Sequence, residues 1–292
     1  MHTFAAHSVK LQMTRNLLLL LIGTLLLTAC GEYNAVLKSK DVEYKYEVAK
    51  AYYVRGQYGR ATDLFSELLT SMKNTSYNDE CLYMLAMSAY MDGDLESASN
   101  FFRRYYTSYP RGVYVDYARY YSGRSLYEAV PDPRLDQTST RQAIEELQHF
   151  LDFSPDSRLK EQTQEMIQQL QDHLVEKEYL SAKLYYDLGA YVINSLIGGS
   201  NYEACIVTSE NALRDYPYLS AARREQFSIL ILRSKYYLAR QSVEEKRVAR
   251  YREMIDEYYA FANDFPESQF LKEAQSYFTK SQRAIQGLPE DE

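Results

Sequence analysis

The chain has no tryptophan. Its 292 residues include only 11 glycines, 7 prolines, three cysteines and four histidines. So few Gly and Pro argue against a sheet protein with many tight turns and against a disordered chain. Cys30, Cys81 and Cys205 are too far apart for CxxC redox or zinc chemistry. His2 and His7 fall in an N-terminal leader, which leaves His149 and His173, expected as solvated side chains on helix surfaces. GxSxG, GxxxxGK(S/T), GxGxxG and HExxH are all missing. So is a basic surplus: 33 Lys and Arg against 40 Asp and Glu give a formal charge of −7, whereas a nucleic-acid partner needs a cationic face. No nucleic acid, no metal, no cofactor and no catalysis is expected. What the chain has in excess is tyrosine, 30 residues, on a background of Leu, Ala, Glu, Gln and Arg that suits packed helices.

The leader comes first. Residues 1–29 carry Lys10 and Arg15 and no acid, then an apolar run over 16–27 that is short for a permanent membrane span. The run ends in Leu27-Thr28-Ala29-Cys30-Gly31, which resembles the bacterial lipobox Leu-x-(Ala/Gly)-Cys. That resemblance implies cleavage before Cys30 and a covalent lipid (palmitate among its chains) on that cysteine. The alternative is an ordinary secretory leader with an incidental cysteine. Met13 is an alternative start, giving Met13-Thr14-Arg15-Asn16 as the charged region. One acyl chain binds a membrane marginally, each buried methylene adding about 0.8 kcal/mol, so the two or three chains of a bacterial lipoprotein give a lasting anchor. Loss of the leader takes the formal charge from −7 to −9. Gly31, where an Asp would retain the protein at the inner membrane, implies transfer to the outer membrane by resemblance to proteobacterial sorting.

The remainder is repetitive. Val42–Lys73 and Asp79–Pro110 align without gaps at a shift of 37 residues, pairing Val48 with Leu85, Ala49 with Ala86, Gly56 with Gly93, Ala61 with Ala98 and Phe65 with Phe102. The pattern resembles the tetratricopeptide repeat (TPR). The alanines allow two antiparallel helices to approach to about 8–10 Å, the glycines serve the turn, and the phenylalanines fill the space between hairpins. Pro110 ends its hairpin because it donates no helical hydrogen bond, and Lys73 stands in its place in the first repeat. The closing signature recurs at Pro155, Pro217 and Pro266, so the later repeats carry insertions, including a loop over 130–140. Ser139 with Gln142, Ser200 with Glu203 and Ser242 with Glu245 read as capping boxes, and 159–175 as an amphipathic helix with a polar outer face.

The expected fold is all-α: a right-handed α-solenoid of about five TPR-like hairpins near 41–74, 78–110, 113–155, 157–217 and 218–285. Residues 1–29 are the signal peptide, 30–40 a lipidated tether and 286–292 a flexible acidic tail. Cys81 and Cys205 are expected buried and unbridged. Glu145-Glu146 and Glu244-Glu245 are expected in solvent. Transfer of the TPR groove positions to this chain gives Glu43, Tyr46, Lys50 and Tyr53 on one helix and Glu80, Tyr83, Met87 and Tyr90 on the next. Tyr46, Lys50, Tyr53, Tyr83, Met87 and Tyr90 form the candidate peptide-binding groove, since a tyrosine offers a flat apolar body and a polar tip at little entropic cost. The alternative for each is packing between repeats.

A lipobox followed by some five TPR hairpins resembles the BamD family, TPR lipoproteins of the outer-membrane β-barrel assembly machine. Further points of likeness are Gly56-Gln-Tyr58, Phe101-Phe102-x-x-Tyr105 before Tyr109-Pro110, Val113-Tyr-Val-Asp116, Asp132-Pro133, Glu176-Lys-Glu-Tyr179 and Leu213-Arg-Asp-Tyr-Pro217. The spacing around Gly198-Gly199-Ser200 and over 238–250 is longer than the family norm. The resemblance implies a non-enzymatic scaffold held by its lipid on the periplasmic face of the outer membrane. Its N-terminal half (41–155) would receive unfolded outer-membrane protein precursors, and its C-terminal half (156–285) would dock a POTRA domain of a BamA-like barrel insertase. The alternatives are a glycan-binding surface lipoprotein like the SusD family, against which the lack of tryptophan speaks, and a cell-envelope adaptor. Replacement Cys30→Ala is expected to move the protein from the membrane to the soluble fraction, read by fractionation and blotting; retention in the membrane defeats the anchor.

Overall fold

A computed structural model describes residues 33–73, 75, 77–191 and 200–289. The leader, Cys30 and the glycines 198–199 lie outside the described residues. Among the described residues all regular structure is helical. In chain order the helices are α1 (33–38), α2 (Val42–Val54), α3 (Tyr58–Ser71), α4 (Asn78–Asp92), α5 (Leu95–Ser108), α6 (Val115–Glu128), α7 (Thr138–Phe153), α8 (Lys160–Asp187), α9 (Asn201–Asp215), α10 (Ala221–Arg240), α11 (Glu244–Asp264) and α12 (Leu271–Ile285). Two compact units divide the chain: Met1–Ala129 with Glu145–Thr163, and Val130–Ile144 with Gln164–Glu292.

Local chemistry sets the helix ends. Asp41 caps α2 by accepting from the Tyr44 amide at 3.0 Å, and Asp94 caps α5 by accepting from the Ser97 amide at 3.2 Å. Gly56 and Gly93 adopt φ of 74° and 87° at the two short turns, the left-handed region that costs other residues strain. Pro110, Pro155, Pro217 and Pro266 each stand two residues beyond the end of a hairpin's second helix, and Lys73 holds that position after α3.

In the first unit, Ala49, Ala61, Ala86 and Ala98 are fully buried where the helices of α2–α3 and α4–α5 meet. The small position recurs once more than the two aligned segments indicate: Gly123 of α6 lies 37 residues after Ala86. A Cβ there would meet Leu147 Cδ2 at 2.7 Å and the Leu147 backbone nitrogen at 3.0 Å. Phe65 and Phe102 are fully buried between hairpins, each contributing about 2–3 kcal/mol of transfer free energy. In the second unit, Val175 and Ala182 of α8 pack with Cys205 and Ala212 of α9 and Phe227 of α10. A second cluster joins Leu232 and Tyr236 of α10 with Tyr251, Met254 and Phe261 of α11 and Ala274 of α12. Both Cys81 and Cys205 are buried free thiols, and burial pushes the Cys81 thiol up to about 12.

Several details differ from expectation. Residues 33–38 of the expected tether are a packed helix, because Val36 and Leu37 have an apolar seat on the first hairpin. The stretch 218–285 is a hairpin plus a third helix: Pro266 stops α11, and α12 then covers the apolar side that the last hairpin would leave open. Ser139 lies inside α7, whose first amide, on Thr138, donates to Asp136 instead. Ser200 occupies its N-cap position without a side-chain bond to the helix. Ser242 precedes the α11 cap, Val243, and its hydroxyl donates back to the Leu238 carbonyl at 2.5 Å. The amphipathic helix at 159–175 runs on to Asp187.

Replacement Gly123→Ala would ordinarily gain helix propensity, about 1 kcal/mol. Here the added methyl overlaps Leu147, and overpacking of this kind costs about 1–3 kcal/mol. The expected net result is a thermal midpoint lower by a few degrees in calorimetry.

Candidate functional site: a tyrosine face on the first three hairpins

The 37-residue shift places like residues at like positions on α2, α4 and α6. Tyr46, Tyr83 and Tyr120 form one row, Lys50, Met87 and Arg124 the next, and Tyr53, Tyr90 and Tyr127 a third. Within a helix the three rows are spaced i, i+4, i+7 and so share one side. All nine residues belong to the first unit.

The rows differ in depth. Tyr46 is 3% exposed, edge-on to Phe65 with ring centres 6.1 Å apart, and it is core rather than groove wall. Its position one turn into α2 leaves it under Tyr77, at 5.9 Å, which is why a repeat position expected on the surface is covered. Lys50 lies over the Tyr46 ring at 5.1 Å and within 4 Å of both Glu47 and Glu80, so its cation is already engaged. Tyr83 is half-buried and stacks flat on Tyr114, ring centres 4.3 Å apart and planes 11° from parallel. Met87 is half-buried against the same core. Tyr53 and Tyr90 are half-buried, the first edge-on to Tyr58 at 5.5 Å, the second edge-on to Tyr121 at 5.2 Å.

Arg124 and Glu128 organise the end of this face. The Arg124 guanidinium lies 5.9 Å from the Tyr90 ring, 6.0 Å from Tyr120 and 5.9 Å from Tyr121. Its Nε donates to Glu128 Oε1 at 2.8 Å, and the Tyr90 hydroxyl donates to the same oxygen at 2.6 Å. Burial first, then the Glu128 carboxylate, hold the Tyr90 phenol well above its ordinary range. Burial also raises Tyr53 and Tyr83, with no hydrogen bond among the causes. A phenol is protonated at neutral pH, and the half-buried Tyr53 and Tyr83 each carry a hydroxyl that can donate to a peptide carbonyl.

Tyr121, Arg124 and Glu128 lie 37 residues after Met84, Met87 and Met91, in a third turn of the repeat that the two gap-free segments do not reach. Glu146, expected in solvent, is buried: it accepts from Ser122 Oγ at 2.9 Å and Tyr106 Oη at 3.1 Å, and pairs with Arg103 at 2.7 Å. Its signal was positional, since 143, 146, 147 and 150 lie on one stripe of α7. His173 is half-buried with Nε2 2.8 Å from the Pro131 carbonyl, and His149 is exposed. In the second unit, Arg233 forms a two-point pair with Glu273 at 2.8 and 2.7 Å, which holds that carboxyl below its usual range. Among the described residues no three His, Cys, Asp or Glu side chains gather to hold a metal ion.

Helix hairpins bearing a repeated aromatic face are common to many adaptors, and comparison with known proteins narrows the choice. The profile of the YfiO family, described as outer membrane lipoprotein, matches residues 38–196, over half of the chain. The chain belongs to the YfiO family. Membership associates it with the outer membrane. A relative from Aquifex aeolicus (strain VF5), named putative outer membrane protein assembly factor BamD, is 29% identical over 180 residues, covering 61% of this chain and 58% of that protein. A second, outer membrane protein assembly factor BamD of Caulobacter vibrioides, is 23% identical over 154 residues, covering 53% of this chain and 50% of that protein. The chain thus spans about half the length of these two relatives. The YfiO match takes in α2 to α8 whole, and with them the full tyrosine face.

Replacement Arg124→Ala removes three ring contacts and the Glu128 pair together. The expected cost is about 1–2 kcal/mol, read as an earlier urea midpoint: each such partly exposed contact is worth about 0.5–1 kcal/mol, and four that share one guanidinium add up to less than their sum. Arg124→Lys is expected to recover less than half of the loss, because an ammonium does not lie flat between rings.

Proposed function

We propose that this YfiO-family protein is a lipid-anchored scaffold that serves outer-membrane protein assembly and catalyses no reaction. In this reading Cys30 carries the lipid and the folded body stands on the periplasmic side of the outer membrane. The tyrosine face of α2, α4 and α6 receives segments of unfolded barrel precursors, and the helices of 156–285 dock a POTRA domain of a BamA-like insertase. The names of the two relatives support the assembly role. The observation that carries precursor binding is the pair of half-buried tyrosines, Tyr53 and Tyr83, each offering a hydroxyl donor beside an apolar ring.

The physical match is with an extended strand. An unfolded precursor exposes backbone carbonyls that need donors and aromatic or aliphatic side chains that need apolar contact, and a phenol supplies both. The rings are braced by their neighbours: Tyr83 by Tyr114, Tyr90 by Tyr121 and Glu128. A braced ring loses little freedom on binding, which leaves more of the contact energy as affinity. Tyr46 takes no direct part, since it is buried, and the Lys50 ammonium is held between the Glu47 and Glu80 carboxylates.

The double replacement Tyr53→Phe with Tyr83→Phe, which removes both hydroxyl donors and keeps the rings, is expected to weaken binding of peptides copied from barrel strands about tenfold in calorimetry, while circular dichroism stays helical. Unchanged affinity would return both residues to a packing role. In the same preparation, a BamA-like barrel is expected to co-purify from detergent-solubilised envelopes, and its absence would defeat the docking half of the proposal.

A further inference from the structure

The chain is held down close behind its lipid site. Tyr33 donates its hydroxyl to Asp63 at 2.9 Å, its ring meets Tyr52 edge-on at 5.7 Å, and the Arg60 guanidinium lies 5.1 Å above it. One turn on, Val36 is 2% exposed in the core of the first unit. Tyr52 is near the end of α2 and Arg60 near the start of α3, so Tyr33 is pinned at the turn end of the first hairpin. From Tyr33 back to Cys30 is three residues, which reach about 11 Å when fully extended. Without α1, the first fixed residue would be Val42, 12 residues from Cys30, and the reach would be about 40 Å.

We propose that the turn end of the first hairpin is apposed to the lipid surface, with the start of α1, Val54 and Arg55 against the phospholipid headgroups. This rests on lipidation of Cys30 as proposed above. The occupant follows from chain length: a lipid rooted in the leaflet cannot be more than about 11 Å of chain from Tyr33. The surface chemistry agrees. Val54 is 83% exposed at the turn, an apolar side chain with no partner to cover it, and the adjacent Arg55 is exposed and cationic. An apolar residue beside a cation suits the headgroup layer. The second hairpin's turn lies alongside, since a Cβ on Gly59 would sit 3.3 Å from the Asp92 carboxylate, and exposed Met91 stands in the last turn of α4 just before it. The far end of the first hairpin, at Lys73, is about 20 Å away, the length of the 14 residues of α3. So α1 converts a leash into a strut and gives the first unit a preferred face toward the membrane.

The test uses the full-length lipidated protein in phospholipid vesicles containing a nitroxide-headgroup lipid. Val54→Cys or Lys73→Cys, made singly, carries a fluorophore; Cys81 and Cys205 are buried and escape labelling. Quenching at position 54 is expected to exceed that at 73 at least threefold. Equal quenching in protein that floats with the vesicles overturns the proposal alone. Failure to float overturns the lipidation reading and this proposal with it. Tyr33→Ala with Val36→Ser, which frees α1, is expected to float normally and lose the contrast between the two positions. A contrast that persists in that variant overturns the role of α1.

Discussion

The close approach of paired helices is the constraint on which the other features of the first unit depend. Ala49 with Ala61 and Ala86 with Ala98 are buried to zero exposure, and Gly123 leaves room for Leu147 where even one methyl group would collide. Small side chains at these crossings bring the backbones together, and the larger residues a turn away then find one another. Phe65, Phe102 and Tyr105 fill the remaining space. Dispersion falls off steeply with distance, so a hairpin splayed by an ångström would forfeit contacts along its whole length. The glycine turns and the proline stops hold the register in which these small residues meet.

The tyrosine face is a by-product of the same register. Residues three before and four after Ala49, Ala86 and Gly123 lie on the same helix face as the small residue, one turn to either side of it, and in this chain all six are tyrosine. The core takes some, such as Tyr46 and Tyr120, and leaves others, such as Tyr53 and Tyr90, half in and half out. A phenol tolerates this position because its ring is apolar and its hydroxyl polar. Arg124 adds a flat cation among three rings, and Glu128 takes the hydroxyl proton of Tyr90 as a hydrogen bond. A face of this kind holds its shape while it is empty.

Much of this was legible beforehand, for physical reasons. Hairpins are set by residues close in sequence, so Ala49, Gly56, Ala61 and their partners 37 residues on declared the fold. The spacing of the prolines declared the joints. Burial of a particular ring was less legible, because it depends on what lies across from it. Tyr46 sits at a groove position by spacing, yet Tyr77, in the segment between hairpins, closes over it. Glu146 read as one of a pair of acids on a helix, but its partners Arg103, Tyr106 and Ser122 come from 24 to 43 residues away. Residues 33–38 looked like tether because six residues form no stable helix alone; the apolar seat for Val36 supplies what the segment lacks.

The joints carry a consequence of their own. Each second helix stops two residues short of its proline, or of Lys73 in the first case, and the next helix starts from its own capping geometry. Helical phase is therefore reset at every joint. The step from the α5 to the α7 small position, Ala98 to Ala143, is 45 residues, and the eight extra are spent in the loop before α7 while Ala143, Leu147 and Phe150 still point inward. A chain assembled this way tolerates added or lost residues between its modules without rotating any helix away from its neighbour.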